Sequence, residues 1–252
     1  MKIQFIVVGW YYTFMEEFNN GLKQLNDSNE NVNVFWSCHN EPTDWIKENF
    51  DYKVFDNIGD EYGAFQQATD HLNLDDDTYV FFIHDDMIIK DWSFINVCVD
   101  ALDNGYKCIG NCREYDMVCD PFREGAAGMW PGPMNEYVGD KNKHIYDKEI
   151  PIKKVRGSFM SMKMKDVRGV GEFDPPLSMM VGPITREDGT TYFEGDPNGR
   201  GGYGNVLMEL FSYKLNRIFG HDKIVYLSNR YLDSDYMYEC ARGEIQPGNP
   251  ML

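Results

Sequence analysis

The sequence predicts an α/β fold, a mostly parallel sheet flanked by helices, and three observations carry that prediction. The segment Tyr79-Val80-Phe81-Phe82-Ile83 is apolar at every position, the pattern of a strand buried on both faces in a sheet covered by helices. From Ile3 to Asn111, strand patterns alternate with stretches of three- and four-residue apolar spacing joined by short links. The Tyr79–Ile83 run ends abruptly in His84-Asp85-Asp86, which puts two adjacent carboxylates at the carboxyl edge of the sheet, where open α/β sheets bind ligands.

The elements follow in order. Ile3–Val8 is the first strand, and Gly9-Trp10-Tyr11-Tyr12-Thr13 leaves it. Phe14 to Leu25 is expected to be helical because Phe14, Phe18, Leu22 and Leu25 share one face. Asn31 to Ser37 alternates Val32, Val34 and Trp36 with polar residues, as a second strand does. A short helix over Trp45–Phe50 and a third strand over Tyr52–Phe55 come next, and Asn57-Ile58-Gly59 forms a loop. Tyr62–Leu72 is helical, with Ala64, Phe65, Ala68 and Leu72 inward. After the acidic strand end, a helix over Trp92–Leu102 and a strand over Lys107–Asn111 complete the alternation.

From Cys112 to Glu149 the periodicity is lost among prolines and glycines, and a loop of this length inside a domain points to function. Ile152 to Met164 is expected as one strand, and Asp166–Gly171 as a short helix or turn. A second Gly-rich loop covers Gly182–Gly204. A helix over Tyr203–Phe219 buries Val206, Leu207, Leu210, Phe211 and Leu215 and stops at Gly220, and Ile224–Leu227 is the last strand. Residues 1–239 are expected to form one domain, with 240–252 a poorly ordered tail.

Composition narrows the function. The 252 residues are 42% hydrophobic, enough for a substantial core, and 41 acidic against 24 basic residues give a net charge of −17. That balance disfavours binding along a phosphate backbone or to anionic lipid. The basic run Lys153-Lys154-Val155-Arg156, with Lys163, Lys165 and Arg168, stands out as either a local patch or a solvated strand edge. No stretch approaches the ~20 apolar residues of a membrane span, and Ile3–Gly9 is too short for a signal sequence, so a cytoplasmic location is expected. The cysteines at 38, 98, 108, 112, 119 and 240 form no CxxC pair, and reduced core thiols are expected. A metal held by Cys108, Cys112 and Cys119 would need a distant fourth ligand.

Asp85 and Asp86 have no Lys or Arg within three residues, so a divalent cation is a natural counter-charge; the alternative is that they only cap the turn before Lys90-Asp91-Trp92. At the amino-terminal strand end, Gly9 allows close backbone approach, and Trp10 or Tyr11 offers a stacking surface or a lid on the first helix.

Four segments together resemble the GT-A glycosyltransferases, closest to the large family 2 of nucleotide-sugar transferases. They are Asn57-Ile58-Gly59 with the Ala68 helix, Phe82-Ile83-His84-Asp85-Asp86, Gly157-Ser158-Phe159 with Val170-Gly171-Glu172-Phe173-Asp174, and Met208-Glu209 set eleven residues before Gly220. The resemblance spans Ile3 to about Leu227 and implies a Rossmann-like GT-A sheet with long loops on the acceptor side. It implies transfer of a hexose or pentose from a nucleotide-diphosphate sugar, a uridine or other pyrimidine nucleotide above all, to a hydroxyl acceptor.

By that resemblance a DxD-like motif holds Mn²⁺ or Mg²⁺ on the donor diphosphate, with Asp86 as main ligand, Asp85 toward the ribose or sugar, and His84 either a second ligand or a strand-end histidine satisfied by backbone. His84 stands where such motifs carry their first acidic residue. Gly9, Trp10, Tyr11, Asn57 and Gly59 then line the nucleotide, with Asn40-Glu41 a further candidate near the base. Gly157, Phe159, Asp174 and Trp130 fall toward the acceptor, and Trp130, Tyr137, Tyr192 and Tyr203 are candidates to stack on sugar rings or, equally, on bases. Glu209 takes the place of the general base of an inverting transfer, with Asp174, Glu194 and Asp196 in competition; the alternative is an exposed helix glutamate, since helical periodicity permits a surface position there. Two alternatives stay open: a catalytically inactive nucleotide- or glycan-binding module, and a transferase acting on modified nucleic acid.

Overall fold

The computed structural model describes residues 1–9, 16–56, 60–111, 116–123, 134, 138, 142–173, 184–185, 191–193, 203–228 and 235–239. The elements are β1 (Ile3–Gly9), α1 (Glu16–Ser28), β2 (Val32–Cys38), α2 (Asp44–Asn49), β3 (Asp51–Val54), α3 (Asp60–Leu72), β4 (Tyr79–His84), β5 (Met87–Ile89), α4 (Phe94–Asp103), β6 (Cys108–Asn111) and β7 (Asp116–Cys119). They continue with β8 (Ile150–Lys153), β9 (Phe159–Lys163), α5 (Met164–Val170), β10 (Ile184–Thr185), β11 (Thr191–Phe193), α6 (Tyr203–Phe219), β12 (Ile224–Ser228) and β13 (Met237–Glu239).

Seven strands form the main sheet in the order β12-β6-β9-β4-β1-β2-β3. Every pairing is parallel except those of β9, which runs against β4 and β6. The mostly parallel α/β fold expected from the strand–helix alternation is therefore the fold observed.

The continuous apolar strands are explained by helices on both faces. Phe5 and Val7 of β1 and Phe81 and Ile83 of β4 pack with Phe18, Leu22, Phe94 and Cys98 of α1 and α4. The intervening Ile6, Val8, Val80 and Phe82 pack with Tyr62, Phe65 and Ala68 of α3 and with Phe211 and Leu215 of α6. Each fully buried Phe or Ile contributes about 1.5–3 kcal/mol. A third cluster joins Cys119, Tyr146 and Ile152, around the two-stranded ribbon β7–β8, to Leu210 and Tyr213 of α6.

Helix α6 is thus covered by the sheet on one side and the ribbon on another, and its polar residues Glu209, Ser212, Lys214 and Asn216 are all buried. It ends where Gly220 takes φ 90°, a conformation that suits glycine, with the Gly220 amide donating to Asn216 O at 2.9 Å.

Two features correct the sequence expectation. Ile152–Met164 is not one strand: β8 belongs to the ribbon, β9 to the main sheet, and residues between them turn across α6. Asn216 explains the break, because its side chain both accepts from Lys153 N (2.9 Å) and donates to Lys153 O (2.8 Å), bonds that a sheet neighbour would otherwise make. The second feature is β5, which pairs antiparallel with β13 some 150 residues later in the chain, Met87 opposite Glu239. No described helix is long and apolar enough to cross a membrane.

Candidate functional site

The chain passes from β1 to β2 and β3 on one side, then returns to β4 on the other side of β1. At such a reversal of strand order the loops leaving the two strands diverge and open a crevice at their carboxyl ends. Gly9 closes β1 there, and His84 of β4 is the register partner of Val8. Asp85 and Asp86 follow directly, each 4% exposed.

The acidic turn is held from three directions. Asp85 N donates to Val8 O (3.2 Å), and His84 N donates to Ser158 O in the β8–β9 connection (3.1 Å). On the downstream side, the amides of Lys90 and Asp91 both donate to Tyr236 O, at 2.7 and 3.2 Å, so the residue before β13 fixes those that leave the turn. The imidazole Nδ1 of His84 lies 3.7 Å from Asp86 Oδ1, which brings one nitrogen and one carboxylate oxygen of the expected metal pair together.

No group of three or more His, Cys, Asp or Glu side chains suited to a metal occurs among the described residues. The donor set of Asp86 and His84 fits a hard or borderline cation that draws its other ligands from phosphate and water, as Mg²⁺ and Mn²⁺ do at nucleotide sites. The described cysteines do not compete: Cys38, Cys98, Cys108 and Cys119 are buried, and burial pushes the Cys119 thiol up to about 11 and those of Cys98 and Cys108 higher still. Cys112 and Cys240 lie outside the described residues.

Among the expected nucleotide and acceptor residues, Trp10, Tyr11, Asn57, Gly59, Trp130 and Asp174 lie outside the described residues, as do Tyr137 and the alternative bases Glu194 and Asp196. The end of β2 adjoins Gly9, since His39 N donates to Gly9 O at 3.3 Å. Glu41, two residues on, pairs with Lys47 at 2.6 Å on the surface.

Phe159 is fully buried, with its ring 5.5 Å from that of Phe94 and 6.4 Å from that of Phe81, so it is part of the sheet core. Gly157 faces the side chain of Glu61, in the first turn of α3, a neighbour that the sequence pattern did not place there.

Glu209 is 3% exposed, not on the surface face that helical periodicity permits. Its Oε1 pairs with Lys154 Nζ, and its Oε2 is buried without a hydrogen-bond partner among the described residues. Burial pushes the Glu209 carboxyl above the usual carboxylate range, and the hydrogen bond and charge of Lys154 work against that rise. The connection that carries Lys154 also carries Gly157 and Ser158, so one segment joins Glu209 to the acidic turn.

The basic run is dispersed by its partners. Lys153 Nζ donates to Ile224 O, Lys154 pairs with Glu209, Lys163 with Asp103 and Arg168 with Asp76. A cavity of about 350 Å³ opens between α3 and α5, lined by Gln66, Thr69, Asp70, Met164 and Arg168. It lies near the amino end of β4, where Arg168 reaches Leu74 O and Asp76, and so at the opposite edge of the sheet from Asp85 and Asp86.

No protein-family model matches the chain, and no curated protein does. Solved structures do. They include the mannosyltransferase PcManGT from Pyrobaculum calidifontis in complex with GDP-Man and Mn²⁺, at 12% identity over 72% of this chain and 48% of that one, TM-score 0.43. TarS 1–349 of S. aureus matches at 12% identity over 95% and 60%, TM-score 0.44, and the galactosyltransferase LgtC, with donor and acceptor sugar analogues, at 8% over 90% and 73%, TM-score 0.40. A mannose-6-phosphate isomerase from Helicobacter pylori also matches, at 12% over 69% and 74%, TM-score 0.39. The chain spans about half the length of the mannosyltransferase. Each of these likenesses concerns the course of the chain alone.

Proposed function

We propose that the chain is a glycosyltransferase that moves a sugar from a nucleotide-diphosphate sugar to a hydroxyl acceptor, with inversion and with the help of Mn²⁺ or Mg²⁺. The observation that carries this reading is the pair Asp85-Asp86, buried at the carboxyl end of β4 beside the end of β1, where strand order reverses. Two adjacent carboxylates out of water favour a divalent cation, and a cation in that crevice favours a diphosphate.

Asp86, with His84 beside it, is the residue to hold the cation, and Asp85 faces the ribose or sugar. When bound, the cation offsets the negative charge that grows on the departing diphosphate. Gly9 brings bare backbone to the nucleotide. Glu209 takes the proton of the acceptor hydroxyl as the oxygen attacks the anomeric carbon. A pyrimidine nucleotide, uridine diphosphate first, belongs to the same reading.

One observation favours a second reading, a nucleotide- or glycan-binding module without catalysis: Glu209 is buried and already holds a lysine. Mn²⁺-stimulated hydrolysis of a panel of nucleotide-sugars separates the two. The transferase releases sugar slowly without acceptor, and the module binds without release. A parallel thermal-shift panel of nucleoside diphosphates tests the base, and stabilisation by purine nucleotides alone overturns the pyrimidine assignment.

A further inference from the structure

The segment Lys153–Val155 is fastened to α6 by three residues on one face of that helix. Glu209, Ser212 and Asn216 are spaced at i, i+3 and i+7, so their side chains lie in one row. Asn216 makes paired bonds to the backbone of Lys153, Ser212 Oγ accepts from Val155 N at 2.9 Å, and Glu209 Oε1 meets Lys154 Nζ. Val155 closes the arrangement from below: it is fully buried against Gly110, where a Cβ would come within 2.7 Å of its Cγ1. Tyr62 of α3 adds a bond from its hydroxyl to Val155 O at 3.0 Å. Lys154 is therefore not a surface lysine folded onto a convenient carboxylate. Its backbone is fixed on both sides before its side chain is counted.

We propose that Lys154 is a positioning residue, which keeps the buried Glu209 carboxyl charged and, by taking Oε1, leaves Oε2 to accept the proton of an incoming hydroxyl.

The inference rests on Glu209 as the base of the proposed transfer. Among the described residues, the other titratable groups that interact electrostatically with Glu209 are Tyr62 of α3 and Cys119 of β7, and burial raises both above their ordinary values, which leaves them neutral near pH 7. Neither supplies positive charge. Lys154 is the cation whose hydrogen bond and charge act on Glu209, against a burial that favours the protonated form. A protonated Glu209 cannot take a proton from an acceptor, so loss of the ammonium removes base strength even though every atom of the base remains.

The test reads the carboxyl directly and needs no donor or acceptor. Carbon-13 spectra of glutamate-labelled protein, with Glu209→Gln assigning the signal, give the titration of Glu209 in wild type, Lys154→Met, Lys154→Gln and Lys154→Arg. Met and Gln keep the length of the stem and lose the charge, and the two together guard against one of them failing to fold. The expected result is a titration about one to three pH units higher in the Met and Gln variants and close to wild type in the Arg variant. An unshifted titration in a folded Met or Gln variant overturns the proposal. Once an acceptor is in hand, the acidic limb of kcat should move up by the same amount with KM for the donor unchanged. A structural role alone would lower turnover equally at every pH. If Glu209→Gln keeps its turnover, the base assignment fails, while the titration still decides whether Lys154 sets the charge on Glu209.

Discussion

Gly157 and Glu61 touch so closely that a Cβ on Gly157 would stand 2.3 Å from Glu61 Cγ and 2.8 Å from its Oε1. Glu61 belongs to the first turn of α3, and Gly157 precedes Ser158, whose carbonyl holds His84 N. The start of α3 and the acidic end of β4 are therefore coupled through a position that has room for a hydrogen and no more.

Gly157→Ala is expected to push Glu61 aside and strain the connection, at about 1–3 kcal/mol. Because the obstructing atoms belong to a side chain, Glu61→Ala should restore most of that loss in the double variant. Thermal melts of the two single variants and the double variant check it, and simple additivity of the two changes refutes the contact. Metal-dependent nucleotide binding should weaken in Gly157→Ala and recover along with stability.

The sheet was legible because its evidence is local. Each of β1, β2 and β4 is buried on both faces, and an unbroken or alternating apolar run says so within the strand itself. What the sequence concealed depends on partners far along the chain. Val155 is as buried as any strand residue, so nothing local separates β8 from β9; the side chains of Ser212 and Asn216, about sixty residues later, turn the backbone there. Glu209 shows the same limit. Helical spacing permits a surface position, but the ribbon β7–β8 covers that side of α6, and β7 was hidden in a segment with no periodicity. The core packing of Phe159 was equally hidden, because a strand residue at the edge of a glycine-led motif looks the same whether it faces a ligand or Phe94.

Asp86→Asn should lower the Mn²⁺-dependent affinity for a nucleoside diphosphate by about tenfold or more, roughly 1.4 kcal/mol, and Asp85→Asn should do less. The fold should survive in both, since each removes one of two adjacent buried charges and with it their mutual repulsion. Calorimetry with and without Mn²⁺, and with a chelator, measures both. Unchanged affinity in Asp86→Asn would place the cation elsewhere.

Phe159→Ala is expected to act on stability and not on acceptor recognition. Emptying a fully buried phenyl site in contact with Phe81 and Phe94 costs about 3–5 kcal/mol, on the order of 10 °C in Tm for a chain of this size. An acceptor KM that rises while Tm stays fixed would return Phe159 to the site.

Glu209→Gln keeps the size of the side chain and removes its ability to take a proton. In the proposed function donor binding depends on the acidic turn at the end of β4, so it should be unchanged, while turnover falls ~10² to 10⁴-fold. A variant keeping more than about a tenth of wild-type turnover passes the role to Asp174, Glu194 or Asp196. Stability gives a check that needs no substrate. Burial raises the Glu209 carboxyl, so the folded protein holds that proton more tightly than the unfolded chain does. The stability this contributes is complete below the unfolded value and is lost as pH rises through the folded one. Glutamine carries no such loss, and the paired Lys154, with 24% of its side chain exposed, can turn toward water. The Tm of Glu209→Gln relative to wild type should therefore climb as pH rises across that window and level off above it. A difference that stays flat with pH would mean that Glu209 is not held above its ordinary range and that Lys154 offsets its burial in full.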